Sequence, residues 1–238
     1  MKKKYSLVKW GASEIFWVLF LSGILLLAIS YGLDLGIKRF WDQGLGFRQS
    51  FLSIILLIIQ DGILFLLVIF FTIYKKKATF EELGFRRLPF PKVISTAIIS
   101  LLLSLVLIFF VSLVFYFLHL PGASGRQEPL LPFFDKSLFG FIVVIVVTSI
   151  FVPIVEETYF RGFLLQGLTR FLPDSVAIIL SSLLFTVLHL NLSIFAPIFI
   201  LSLVLSIVFF KTRSLWPGIV MHSLKNLGSV IIFYLLGI

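Results

Sequence analysis

The chain has 238 residues, of which 60% are hydrophobic and only 13% charged, with a formal net charge of +9 and no cysteine. Soluble domains carry about a quarter of their residues as charges and need a polar exterior, so this composition excludes a water-soluble globule and makes lipid the solvent for most of the surface. The lack of cysteine excludes disulfides and thiolate chemistry, while the positive charge, spread over short loops and ends, favours anionic lipid headgroups as partners over nucleic acid.

In chain order, Met1-Lys2-Lys3-Lys4 precedes a long apolar run with no small-residue cleavage site, which predicts a retained first span. Runs of about 20 apolar residues cross a bilayer as helix. Seven are predicted, at residues 14–33, 51–74, 93–118, 138–167, 175–190, 194–210 and 216–235. Lys75-Lys76-Lys77 stops the second, and Glu81-Glu82-Leu83-Gly84-Phe85 reads as a short interfacial segment in the basic loop that follows. A Pro/Gly-rich loop separates the third and fourth spans, and Pro173-Asp174 breaks the fourth from the fifth, with Asp174 the expected helix cap. The fold expected is an all-α transmembrane bundle in one integrated domain, with a three-span region at 1–136 and a polar-residue-bearing core at 137–238. Loop and terminal Lys and Arg divide thirteen against five, which predicts a cytoplasmic amino terminus and an extracytoplasmic carboxyl terminus in a multi-pass cell-membrane protein.

Charged groups within a bilayer are costly and mark function by default. Three clusters stand out: Glu156-Glu157-Thr158-Tyr159-Phe160-Arg161 in the fourth span, Phe185 to His189 in the fifth, and His222-Ser223-Leu224-Lys225-Asn226 in the seventh. Glu157 and Arg161 are four apart and can pair; His222 and Asn226 share a helical face. Glu156 and His189 are nearly equidistant from the turn near residues 171–174, which predicts equal depth, roughly 25 Å from that turn, if the two spans form a hairpin. His222 lies only about 10 Å into its span, so it reaches that depth only if the seventh helix is tilted or starts deeper. Pro153 is expected to bend the fourth span just before the glutamates.

These residue types suit amide hydrolysis. Adjacent glutamates point about 100° apart on a helix, so they have different tasks: Arg161 holds Glu157 ionised as an anchor, leaving Glu156 as the base that takes a proton from water. His189 can orient that water, and His222 and Asn226 can donate to the developing oxyanion. Asp61 in the second span is read as a buried hydrogen-bonding group or a cavity residue, Phe185 as a cavity residue, and Lys225 as a group that snorkels to the interface or touches a substrate carboxylate. The bland alternative is that such residues only satisfy one another inside a bundle.

With Glu156-Glu157-x-x-x-Arg161, Phe185-x-x-x-His189 and His222-x-x-x-Asn226 in that order, the chain resembles the CAAX prenyl endopeptidase and bacteriocin-processing family, often called CPBP or Abi, from about residue 137 to 237. The resemblance implies an intramembrane endopeptidase of CAAX-endopeptidase-like fold that cuts a membrane-associated or lipidated peptide without a cofactor. It implies Glu156 and His189 as the water-activating pair and His222 and Asn226 as the oxyanion site. It extends to roles in peptide maturation, export or bacteriocin immunity. Two alternatives stay open: a catalytically silent peptide-binding immunity or export-accessory protein, and a zinc peptidase using Glu156, His189 and His222. Against zinc stand the absence of a His-Glu-x-x-His element and the competition of Arg161 for Glu157. Gly122-Ala123-Ser124-Gly125 looks like a serine-nucleophile motif, but its Pro/Gly-rich setting makes it a turn.

Overall fold

The computed structural model describes residues 8–40, 46–120 and 138–236, all of whose regular structure is helical. The helices are α1 (Ala12–Phe40), α2 (Gly46–Ile69, prolonged by a π turn at Phe70–Tyr74), α3 (Phe80–Leu83) and α4 (Phe90–Phe117). The fourth predicted span is a composite rod: α5 (Leu138–Val146), a π turn (Val147–Phe151), α6 (Val152–Glu157), a π stretch (Thr158–Leu165) and α7 (Gln166–Leu168). Then come α8 (Asp174–Val187), α9 (Phe195–Thr212) and α10 (Trp216–Leu236). The Gly122–Gly125 turn and the 136/137 division lie outside the described residues.

Among the described residues, six helices are long and apolar enough to cross a membrane. The fifth predicted span is shorter than expected: α8 has 14 residues, about 21 Å of helix against an apolar core of about 30 Å. It stops because Leu190 takes a left-handed conformation, φ 50°, and Asn191 caps the next turn through Ser193 N–H. At its other end Pro173 occupies the cap position and makes no side-chain cap; Asp174 is the first helical residue and faces the positive end of the helix dipole instead.

In lipid, helices associate through close packing and small polar contacts. The buried residues of α4 are Val93, Ala97, Ser100 and Ser104, a stripe at helical spacing whose small members let it approach α9 and α10. On α9, Ser206 meets Ser182 of α8 at 3.1 Å. Ser181 donates to the Phe160 carbonyl at 3.1 Å, fixing α8 against the π stretch.

One end of the bundle is closed by two docked segments. Buried Trp10 donates its indole N–H to the Phe163 carbonyl at 3.0 Å, and Arg170 donates to the carbonyls of Val8 and Trp10. Lys9 reaches Glu82 Oε2 at 2.9 Å, and Thr79 and Glu82 form a capping box that starts α3, the expected interfacial segment. Gly84 then needs its left-handed φ of 114°, and a Cβ there would fall 2.8 Å from the Phe209 ring. Its carbonyl accepts from Leu215 N–H at 2.8 Å, and the Arg86 carbonyl accepts from Ser214 at 2.7 Å. The start of α10 is thereby tucked beneath the loop, which sets the depth of the residues that follow.

Candidate active site

The glutamates lie where the composite rod leaves α-helical register. A π segment bonds i to i+5, and such insertions recur at functional sites. Every residue from Thr158 to Leu165 is buried, and Gly162 is required there because a Cβ would lie 2.7 Å from the Leu83 carbonyl oxygen.

Glu157 is 1% exposed and Arg161 is fully buried; they pair at 3.0 Å through Arg161 Nη1. Arg161 Nη2 donates to the carbonyl and hydroxyl of Ser202 on α9, at 3.0 and 2.7 Å. The same Glu157 oxygen accepts from His222 Nδ1–H at 3.1 Å. His222 Nε2 then faces Glu156 Oε2 at 3.7 Å. Glu156 itself is 23% exposed. The two adjacent acids are therefore different in kind: Glu157 is locked between a guanidinium and an imidazole, and Glu156 borders open space.

His222 reaches this depth because the docked loop lowers the start of α10, which removes the mismatch expected from its sequence position. His189 sits just past the end of α8, half-buried, and its Nδ1–H donates to the Phe185 carbonyl at 2.8 Å. That bond places a proton on Nδ1, so that in the neutral ring the lone pair sits on Nε2. The ring of Phe185, 1% exposed, packs at 4.7 Å from His189, 6.0 Å from His222 and 4.7 Å from the Arg161 guanidinium, so it forms the apolar floor between the two histidines. No ion pair joins His189 to Glu156.

Asn226 Nδ2 donates to the Thr148 carbonyl at 2.9 Å. Val152 N–H bonds to Val147 in the π turn, and the next residue in that register, Pro153, has no N–H to give Thr148. Pro153 thus empties a carbonyl instead of simply bending the rod, and Asn226 fills it, leaving its second amide hydrogen and its oxygen free.

Residues 138–228 match the family model described as type II CAAX prenyl endopeptidase Rce1-like. This stretch, a little over a third of the chain, is similar to Rce1-like proteins. No curated protein and no solved structure shows significant similarity to the chain.

The matched stretch contains Glu156, Glu157, Arg161, Phe185, His189, His222, Lys225 and Asn226. Two further charges feel Glu156 electrostatically: Lys225 on α10, and Asp61, which lies outside the matched stretch on α2. Lys225 is half-buried. Among the described residues no three His, Asp or Glu side chains are grouped to hold a metal ion, so the trio Glu156, His189 and His222 does not converge as a ligand set here.

Several supporting groups of the matched stretch escape a reading by motif. Thr148 acts through its backbone carbonyl, which no side-chain pattern reveals, and Ser202 through its carbonyl and its hydroxyl together. Gly218 carries a weak signal, being four residues before His222 and hence on its face. A Cβ at Gly218 would lie 3.1 Å from Glu157 Oε2. Gly218→Ala should therefore press on the carboxylate that holds His222. Thermal melting should show a stability loss of about 1 kcal/mol.

Proposed function

We propose that this protein is an intramembrane endopeptidase that hydrolyses a membrane-associated or lipidated peptide with water activated by Glu156 and His189. The observation that carries this reading is the division of labour between the two glutamates, one locked and one bordering open space beside an imidazole. Water gives a proton to the Glu156 carboxylate while the His189 Nε2 lone pair accepts its other hydrogen. The oxygen attacks the scissile carbonyl carbon. The oxyanion accepts from the free Asn226 amide hydrogen and from His222 Nε2–H when that ring carries both protons. Collapse breaks the C–N bond, and the proton held by Glu156 passes to the leaving amine.

Around this centre, the amino-terminal region 1–136 serves to close and support the 137–238 core. The basic end of the bundle faces the cytoplasm and its anionic headgroups, and the carboxyl terminus lies outside. Roles in peptide maturation or bacteriocin immunity follow as the class of task.

The test is cleavage of a library of lipid-anchored and single-span peptides by the purified protein in liposomes, with products identified by mass spectrometry. A single defined cut is expected, lost with His189→Ala and slowed about 10²–10³-fold with Asn226→Ala, the usual effect of deleting one oxyanion donor. Peptide retention without any cut would support the silent-binder alternative, and cutting lost to chelation and restored by stoichiometric zinc would support the metal-dependent one.

A further inference from the structure

Asp61 stands in α2, outside the matched stretch, and no motif of that stretch accounts for it. Its side chain is 4% exposed, and its Oδ2 is buried without a hydrogen-bond partner among the described residues. Helix α2 packs along α6 and both π segments of the composite rod, and across that contact Asp61 interacts electrostatically with Glu156. The neighbouring Gln60 side chain interacts with the Asp61 carboxyl but leaves Oδ2 unmatched. A buried carboxyl oxygen without a donor is expensive in an apolar bundle, where an aliphatic side chain of the same size would pack without that cost. A buried acceptor of this kind calls for a donor that the folded chain does not supply.

A peptide bound beside Glu156 brings such donors. Its scissile carbonyl turns to the Asn226 and His222 side, and its main-chain N–H groups, withdrawn from water within the bilayer, each need an acceptor. We propose that Asp61 is a substrate-binding residue whose Oδ2 accepts a main-chain N–H of the peptide next to the scissile bond. The amino-terminal helices then contribute to the site directly, and the preferred substrate has an unsubstituted secondary amide at that position. This inference rests on the hydrolase reading above.

The test pairs enzyme and substrate changes. The peptide cut best in the liposome library is resynthesised with single N-methyl groups at each position flanking the cut, and kcat/KM is measured for the wild type, Asp61→Asn and Asp61→Leu. For the wild type, one N-methyl position is expected to lower kcat/KM at least tenfold. Asp61→Leu should be at least tenfold slower than the wild type on the unmodified peptide and lose no more than twofold further at that position. Asp61→Asn, which keeps one acceptor oxygen, should fall between. Both variants should melt at or above the wild-type temperature, because they remove a buried carboxyl whose Oδ2 has no donor. Wild-type kcat/KM in Asp61→Leu, equal N-methyl sensitivity in all three proteins, or a lowered melting temperature in both variants would overturn the assignment. If the wild type cuts nothing, or Glu156→Gln still cuts, the hydrolase reading fails and Asp61 falls with it; wild-type behaviour of Asp61→Leu alone removes only Asp61.

Discussion

Glu156→Gln is expected to lower peptide turnover about 10³-fold, within the 10²–10⁴ range for deleting a general base, while leaving the melting temperature within a degree or two of wild type. The reasoning starts from what Glu156 does not do. Its nearest ionic contact is His222 Nε2 at 3.7 Å, too long for a hydrogen bond, and it is partly exposed, so the fold gains little from its charge. Glutamine has the same shape and keeps an acceptor oxygen, so packing against Pro153 and the π stretch is preserved. What it loses is the ability to take a proton. Glu157→Gln should behave differently: it weakens the hold on both Arg161 and His222, so activity and melting temperature should fall together. The pair is measured by single-turnover cleavage in liposomes alongside thermal melts in detergent. Persistent cleavage by Glu156→Gln would remove Glu156 from the chemistry.

The contrast between those neighbours shows what a sequence can disclose. The i,i+4 spacing of Glu157 and Arg161 and their order predict the ion pair that forms at 3.0 Å. The helical runs are equally plain, because in lipid an apolar run of the right length has few other ways to satisfy its backbone. The equal depth expected of Glu156 and His189 rests on counting at α-helical rise along a hairpin, and the π stretch from Thr158 to Leu165 does not keep that rise on one arm. His222 and Asn226 share a face as expected, yet that face meets two different elements, Glu157 for one and the Thr148 carbonyl for the other. The second contact exists because Pro153 follows a π turn, and the turn itself has no residue signature. The depth of α10 likewise comes from Gly84 and Arg86 carbonyls more than a hundred residues upstream.

Arg161 is where stability and function are tied most tightly, and its replacement should have the largest effect on folding. Arg161→Met is expected to cost about 3–5 kcal/mol, the usual penalty for stripping one partner from a buried ion pair. The guanidinium is fully buried, bonded to Glu157 and twice to Ser202, and lies 4.7 Å over the Phe185 ring. Methionine fills much of the volume, so the loss is chiefly that Glu157 becomes an uncompensated buried charge. The double variant Glu157→Gln/Arg161→Met removes that charge too, and replacing both members of a buried pair is often close to neutral. It should recover most of the stability lost in the single variant. It should not recover turnover, because an amide oxygen at 157 holds His222 Nδ1–H more weakly than a carboxylate does, and Nε2 loses its bearing beside Glu156. Denaturation in mild detergent and cleavage in liposomes, run on the two single variants and the double, separate these effects. Full activity in the restabilised double variant would mean that Glu157 serves the fold alone and that His222 finds its position without it.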